Sequence, residues 1–142
     1  MPTALRRALA IVLGLAVGGV VNMALVMLGP SLIAPPSGAD MTTAEGLKAA
    51  MPLLEPRHFL MPFLAHALGT LVGALAAALI ADSRRAFVAY VVGAFFLCGG
   101  IAASVMIPAP AWFKVLDLAV AYLPMAWLGL SIADRVKPAA IA

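Results

Sequence analysis

Four long apolar stretches, Leu5–Leu28, Phe59–Ala81, Ala86–Ile107 and Val115–Ala133, are separated only by short charged or Pro-rich segments. About 20 apolar residues form a helix that crosses the roughly 30 Å hydrocarbon core of a bilayer. Core helices of soluble proteins are neither so uniformly apolar nor so repeatedly long. The pattern predicts an all-α, polytopic membrane protein, a four-transmembrane-helix antiparallel bundle with spans of about 5–28, 59–81, 86–107 and 112–133. Of the 142 residues 65% are hydrophobic and 11% charged, which leaves no material for a separate soluble domain. Residues 1–142 therefore read as one membrane domain.

The net charge of +3 does not point to nucleic acid, because the basic residues sit in pairs at span ends and are not interleaved with aromatics. Arg6 and Arg7, Arg84 and Arg85, and Arg135 and Lys137 all fall on one side of the predicted bundle. The bias of Lys and Arg towards cytoplasmic loops puts both termini inside a bacterial-type inner membrane. It leaves residues 30–58 and 108–114 outside. The first apolar run is far longer than the ~7–15 residues of a signal peptide core, and no small-x-small site follows closely, so it is expected to stay as a span. The lone Cys98 provides neither a disulfide nor a multi-cysteine metal site, and within an apolar span it is expected to be inert. No cofactor is expected.

The outer loop, residues 30–58, is long for a connection between packed helices. Thr42 followed by Glu45 resembles a capping box, and Leu47, Met51 and Leu54 recur at helical spacing. A short amphipathic helix ending near Pro52 follows, lying on the surface or folding back over the mouth of the bundle.

Small residues recur every four positions within the spans. Ala10, Gly14, Gly18 and Asn22 share a face of the first; Ala65, Gly69, Gly73, Ala77 and Ala81 share one of the second; Ala89 and Gly93 begin a looser version in the third. Such faces allow close backbone approach, which drives helix packing where lipid offers no hydrophobic contrast. Their number suggests a homo-oligomer or docking into a larger membrane complex.

Polar side chains inside the spans are few, and three lie in the outer half. At about 1.5 Å per residue, Asn22 and His66 sit ~12 and ~10 Å below the outer ends of their helices, and Asp117 less than ~10 Å. One reading joins Asn22, His66 and Asp117 into an outward-facing polar or ligand site, with Thr70 extending it one turn inward. The plainer reading pairs Asp117 with Lys114, three residues earlier, and gives Asn22 and His66 structural hydrogen bonds. Pro124 denies the Val120 carbonyl its helical partner and is expected to kink the fourth span near Tyr122.

No His-x-x-x-His, cysteine pair, P-loop or Gly-x-Ser-x-Gly is present, so metal hydrolysis and acyl transfer lack their usual parts. The sequence thus predicts a protein that acts without catalysis, as an oligomeric or accessory membrane component. The alternative is a small channel or transporter using the outer polar layer, and a third reading is an intramembrane His–Asp enzyme.

Overall fold

The computed structural model describes residues 2–138, which form an all-helical chain with no strand among the described residues. The helices are α1 (Thr3–Leu32), α2 (Ala44–Ala50), α3 (Leu60–Ile80), α4 (Arg85–Met106), α5 (Ala111–Val120) and α6 (Leu123–Val136). Short 3-10 turns over Met51–Leu53 and Pro56–Phe59 lead from α2 into α3. Four segments are long and apolar enough to cross a membrane: Thr3–Leu32, Pro56–Ile80, Arg85–Met106 and Ala111–Val136. This is the layout of a multi-pass membrane protein.

The fourth segment is two helices rather than one. Pro124 has no N–H, so nothing on it can bond the Val120 carbonyl, and the helix stops there. Tyr122 leaves the helical region (φ −119°, ψ −84°) and α6 restarts with Pro124 in its first turn. The expected kink is therefore a break, and it swings Tyr122 back towards α5.

Helix α3 lies against α1, α4 and α6. The α1 and α3 faces meet antiparallel through their small residues: Gly14 on Gly73, Gly18 on Gly69, Gly29 on Met61. A β-carbon on Gly14 would stand 2.6 Å from the Gly73 carbonyl oxygen, so the two backbones are in contact. Gly93 meets Ala126, which sets α4 antiparallel to α6. Gly14, Gly18, Gly69, Gly73 and Gly93 are thus occupied inside the chain, while Gly19 and Gly99 face open space.

Small side chains fill the centre, with Ala10, Ala74, Ala77, Ala78, Ala89, Ala126 and Ala133 buried together around Val88 and Val92. Large apolar side chains point outward; Val20, Phe95 and Val105 are 69, 62 and 81% exposed. A protein folding in water distributes its residues the other way round.

The two ends of the molecule differ. At one, here the arginine end, cations cap the last carbonyls of α3: Arg6 Nε donates to Ile80 O (2.8 Å) and Lys137 Nζ to Leu79 O (3.4 Å). Cations at a helix C-terminus satisfy free carbonyls and oppose the helix dipole. Arg85 also bridges to Asp134 at 3.1 Å, tying α4 to α6.

At the other, the loop end, residues 33–59 fold back over the helices. Leu47, Met51 and Leu54 pack on Phe59, Phe63, Phe113 and Ile107, so the amphipathic segment roofs the mouth rather than lying apart from it. Its cap falls one residue later than the sequence suggested: Thr43 Oγ accepts from Gly46 N (3.0 Å), while Thr42 and Thr43 both donate to Asp40. The roof is pinned at His58. Glu55 N–H donates to His58 Nδ1 (2.9 Å), which leaves Nε2 to donate to the Ala34 carbonyl (3.2 Å).

Candidate functional site

Beneath that roof α3 and α5 bring together the most polar side chains of the interior. His66 Nδ1 lies 2.9 and 3.0 Å from the two carboxylate oxygens of Asp117, and the Tyr122 hydroxyl donates to Oδ2 at 2.9 Å. The imidazole and phenol rings stack with centroids 5.8 Å apart. Asp117 is buried and His66 keeps about a quarter of its side chain exposed (26%). A carboxylate taken out of water is tolerated when hydrogen-bonding groups saturate it, and this one is held by His66 and Tyr122.

The local geometry follows from two sequence features. Asp117 and His66 face each other because α3 and α5 both descend from the loop end, held side by side at their tops by Phe59 and Phe113 (centroids 4.9 Å apart). Tyr122 reaches back five residues because the chain breaks before Pro124. Its hydroxyl also needs space on α4, which Gly100 provides by having no side chain; a β-carbon there would collide with the phenol.

The sequence-derived residues divide. His66 and Asp117 come together. Lys114 does not pair with Asp117; among the described residues the carboxylate bonds His66 and Tyr122, the partners that lie across from it rather than along its own helix. Asn22 stands apart, half-buried on α1 against Gly69, with no side-chain hydrogen bond among the described residues. Thr70 does not extend the site: fully buried, it donates to the His66 carbonyl of its own helix (2.8 Å). Tyr122 and Gly100 were not expected at the site, although Pro124 carried the signal for the first.

His66 and Asp117 form the floor of a cavity of about 250 Å³. Met41, Leu47, Met51 and Leu54 close it from above, Phe59, Phe113 and Leu118 line one wall, and Val26 of α1 faces Ala103, Ser104 and Ile107 of α4 across it. Lys114 stands one turn above Asp117 in the same wall. A second cavity of about 200 Å³, between the end of α1 and the start of α3, shares Val26, Met41, Leu47, His58 and Pro62 with the first.

Chemically the pair can hold a proton and present it. With Nδ1–H fixed on Asp117, the other imidazole nitrogen, Nε2, has no partner among the described residues, and the ring lines the cavity. A carboxylate on one imidazole nitrogen fixes the orientation of the ring. No nucleophile bonds that nitrogen. Among the described residues no group of three His, Cys, Asp or Glu side chains is placed to hold a metal ion. No family model, curated protein or solved structure matches the chain.

Proposed function

We propose that this is a four-span antiparallel bundle of a bacterial-type inner membrane, with both termini cytoplasmic, that acts as a small carrier or transporter. Its cavity at the outward-facing loop end takes an amphiphilic small molecule. The observation that carries the reading is His66: one ring nitrogen is held by a buried carboxylate and the ring lines a mostly apolar cavity of about 250 Å³. Ligand sites have this character, mostly apolar walls with a few convergent polar groups. An intramembrane ionisable pair is costly to maintain and marks a pathway or binding site more often than a packing contact. The outward-facing Val20, Phe95 and Val105 support insertion in lipid, and the cations gathered at the arginine end support its orientation.

An accessory role in a larger assembly needs a free packing face. Gly14, Gly18, Gly69, Gly73 and Gly93 each meet another helix of the same chain and so do not favour it, whereas Gly19 and Gly99 face open space.

The test is photolabelling in proteoliposomes with a neutral, diazirine-bearing medium-chain alcohol, mapped by peptide mass. Labelling of the Leu47–Met51 and Ile107–Leu118 peptides that is abolished by filling the cavity with Ala103→Trp is expected. Labelling confined to lipid-facing positions, unchanged by that variant, removes the proposal. Flux of the same probe across the vesicle wall should then be lost in His66→Ala and Asp117→Asn. Orientation is read separately, in a Cys98→Ala background, by an impermeant thiol reagent on intact cells. Ser37→Cys should react and Ser83→Cys should not; the reverse pattern inverts the protein.

A further inference from the structure

We infer that the ligand of the loop-end cavity carries an anionic head group of carboxylate size, recognised by Lys114 and His66. The inference rests on the reading of that cavity as a ligand site and adds the chemistry of what enters it.

Its basis is which polar groups of the cavity are engaged and which are free. His58 has both ring nitrogens committed, to Glu55 and to the Ala34 carbonyl. The Ser104 hydroxyl donates to the Ile101 carbonyl of its own helix (2.7 Å). Both carboxylate oxygens of Asp117 are taken by His66, and Tyr122 adds a second bond to one of them. Two groups remain. Lys114 is half-buried in the cavity wall with no ion-pair or hydrogen-bond partner among the described residues, and Nε2 of His66 is likewise unbonded.

Lys114 shares the mostly apolar cavity lining with Phe113, Leu118 and Ile107 and has no counter-charge among the described residues, so an anion beside it would be favoured there. Asp117, three residues on in the same wall, is bonded to His66 and Tyr122 instead. A ligand anion would fill the vacancy, accepting from Lys114 Nζ and, one helical turn deeper, from Nε2–H of a His66 imidazolium whose Nδ1–H stays on Asp117. Charge-assisted bonds of this kind are the strong ones. One ammonium, beside an imidazolium already balanced by Asp117, suits a monoanionic carboxylate better than a phosphate dianion, which draws arginine forks or several cations.

The rest of the cavity constrains the tail. Its walls are Leu, Met, Phe and Ala side chains, and an apolar cavity of about 150 Å³ is enough to hold a benzene ring. At about 250 Å³ this one takes a ring with a short chain, or a medium alkyl segment, and the adjoining 200 Å³ cavity gives a longer tail a course along α1. The occupant is therefore a carboxylate amphiphile, drawn from the outer leaflet or from the solution above it.

The experiment uses the whole protein in proteoliposomes and two photoprobes of equal length, a medium-chain diazirine fatty acid and its alcohol. Expected is labelling of the Ile107–Leu118 peptide by the acid at least about tenfold above the alcohol, the ratio that corresponds to ~1.4 kcal/mol. Lys114→Gln should bring the acid down to the level of the alcohol measured on the same variant, with its unfolding by SDS in mixed micelles checked separately; Lys114→Arg should keep most of the preference. Equal labelling by the two probes, or an acid preference that survives Lys114→Gln, overturns the inference and leaves the cavity as a site for neutral amphiphiles. Absence of cavity labelling by either probe overturns both this inference and the proposed function. Adding the acid to sealed vesicles or pre-mixing it with the lipid separates entry from solution and entry from the leaflet.

Discussion

The hydroxyl of Tyr122 occupies the place where a β-carbon on Gly100 would stand. The reach of Tyr122 to Asp117, 2.9 Å between heavy atoms, therefore depends on a glycine on a different helix. Neither residue can be understood without the other, and the first prediction follows from their contact.

Gly100→Ala should push the Tyr122 ring aside and cost about 1–3 kcal/mol, the usual range for overpacking a fitted interior. Tyr122→Phe keeps most of the ring in place and removes one donor, worth about 1 kcal/mol inside a membrane protein. Combined with Tyr122→Leu, Gly100→Ala should be much milder than on its own, because contacting positions couple. Unfolding by SDS in mixed micelles measures all three. Full additivity of Gly100→Ala and Tyr122→Leu would mean that the two residues do not share this space.

Asp117 and His66 should also behave as a unit. Removing one partner leaves the other buried and unpaired, which costs about 3–5 kcal/mol for fully buried pairs. With a quarter of the His66 side chain exposed, Asp117→Leu is expected near the bottom of that range, at ~3 kcal/mol. The double variant His66→Leu/Asp117→Leu should recover a large part of the loss. If the double variant is as unstable as the sum of the singles, the pair is not coupled and its role as one proton-holding unit fails.

Much of this arrangement was legible in the sequence and part of it was not. The four spans could be read from length and apolarity because a bilayer imposes both on any crossing helix. The small-residue faces of α1 and α3 showed at four-residue spacing, but spacing marks a face without saying which helix covers it, so Gly14 and Gly18 suggested an assembly that the contact with Gly73 and Gly69 accounts for within the chain. At the site the depth of His66 and Asp117 was readable at 1.5 Å per residue, whereas direction around the helix was not. Local sequence offers Lys114 as the partner of Asp117 at i−3, and the actual partner His66 lies 51 residues away, so shared depth could suggest the pair but not the α3–α5 contact that makes it. Asn22 shows the same limit: it shares the depth of His66 but sits on α1 against Gly69, outside the group.

The glycines of the spans should separate sharply in their tolerance of a methyl group. At Gly14 and Gly18 a β-carbon would come within 2.6 and 2.5 Å of backbone oxygens on α3, atoms that cannot turn away as a side chain can. Gly14→Ala and Gly18→Ala should therefore loosen α1 from α3 and cost about 1–3 kcal/mol. Gly19 and Gly99 face open space, so alanine there should be neutral, within about 0.5 kcal/mol. The same SDS titration reads the four variants, and equal effects at all four would contradict the α1–α3 contact.

The roof has an acid-sensitive corner at Asp40. Its carboxylate accepts from the Thr42 hydroxyl (2.6 Å), the Thr42 N–H (2.8 Å) and the Thr43 hydroxyl (3.0 Å), and these bonds, the Thr42 hydroxyl foremost, hold its pKa below the ordinary 3.8. Gly46 gives the room for this, since a β-carbon there would stand 2.8 Å from the Asp40 side chain. A carboxyl whose pKa falls on folding adds stability that is complete above its unfolded value and is lost as the pH drops through its lower folded value. The start of α2 should thus keep its order down to about pH 4 and loosen below it. Amide exchange at Thr42 and Gly46 measures this directly, with faster exchange expected below that pH. Asp40→Asn, which keeps an acceptor but cannot titrate, should exchange faster at neutral pH and lose the acid dependence. A wild-type exchange rate that follows the intrinsic pH curve through this range would show that Asp40 does not anchor the roof.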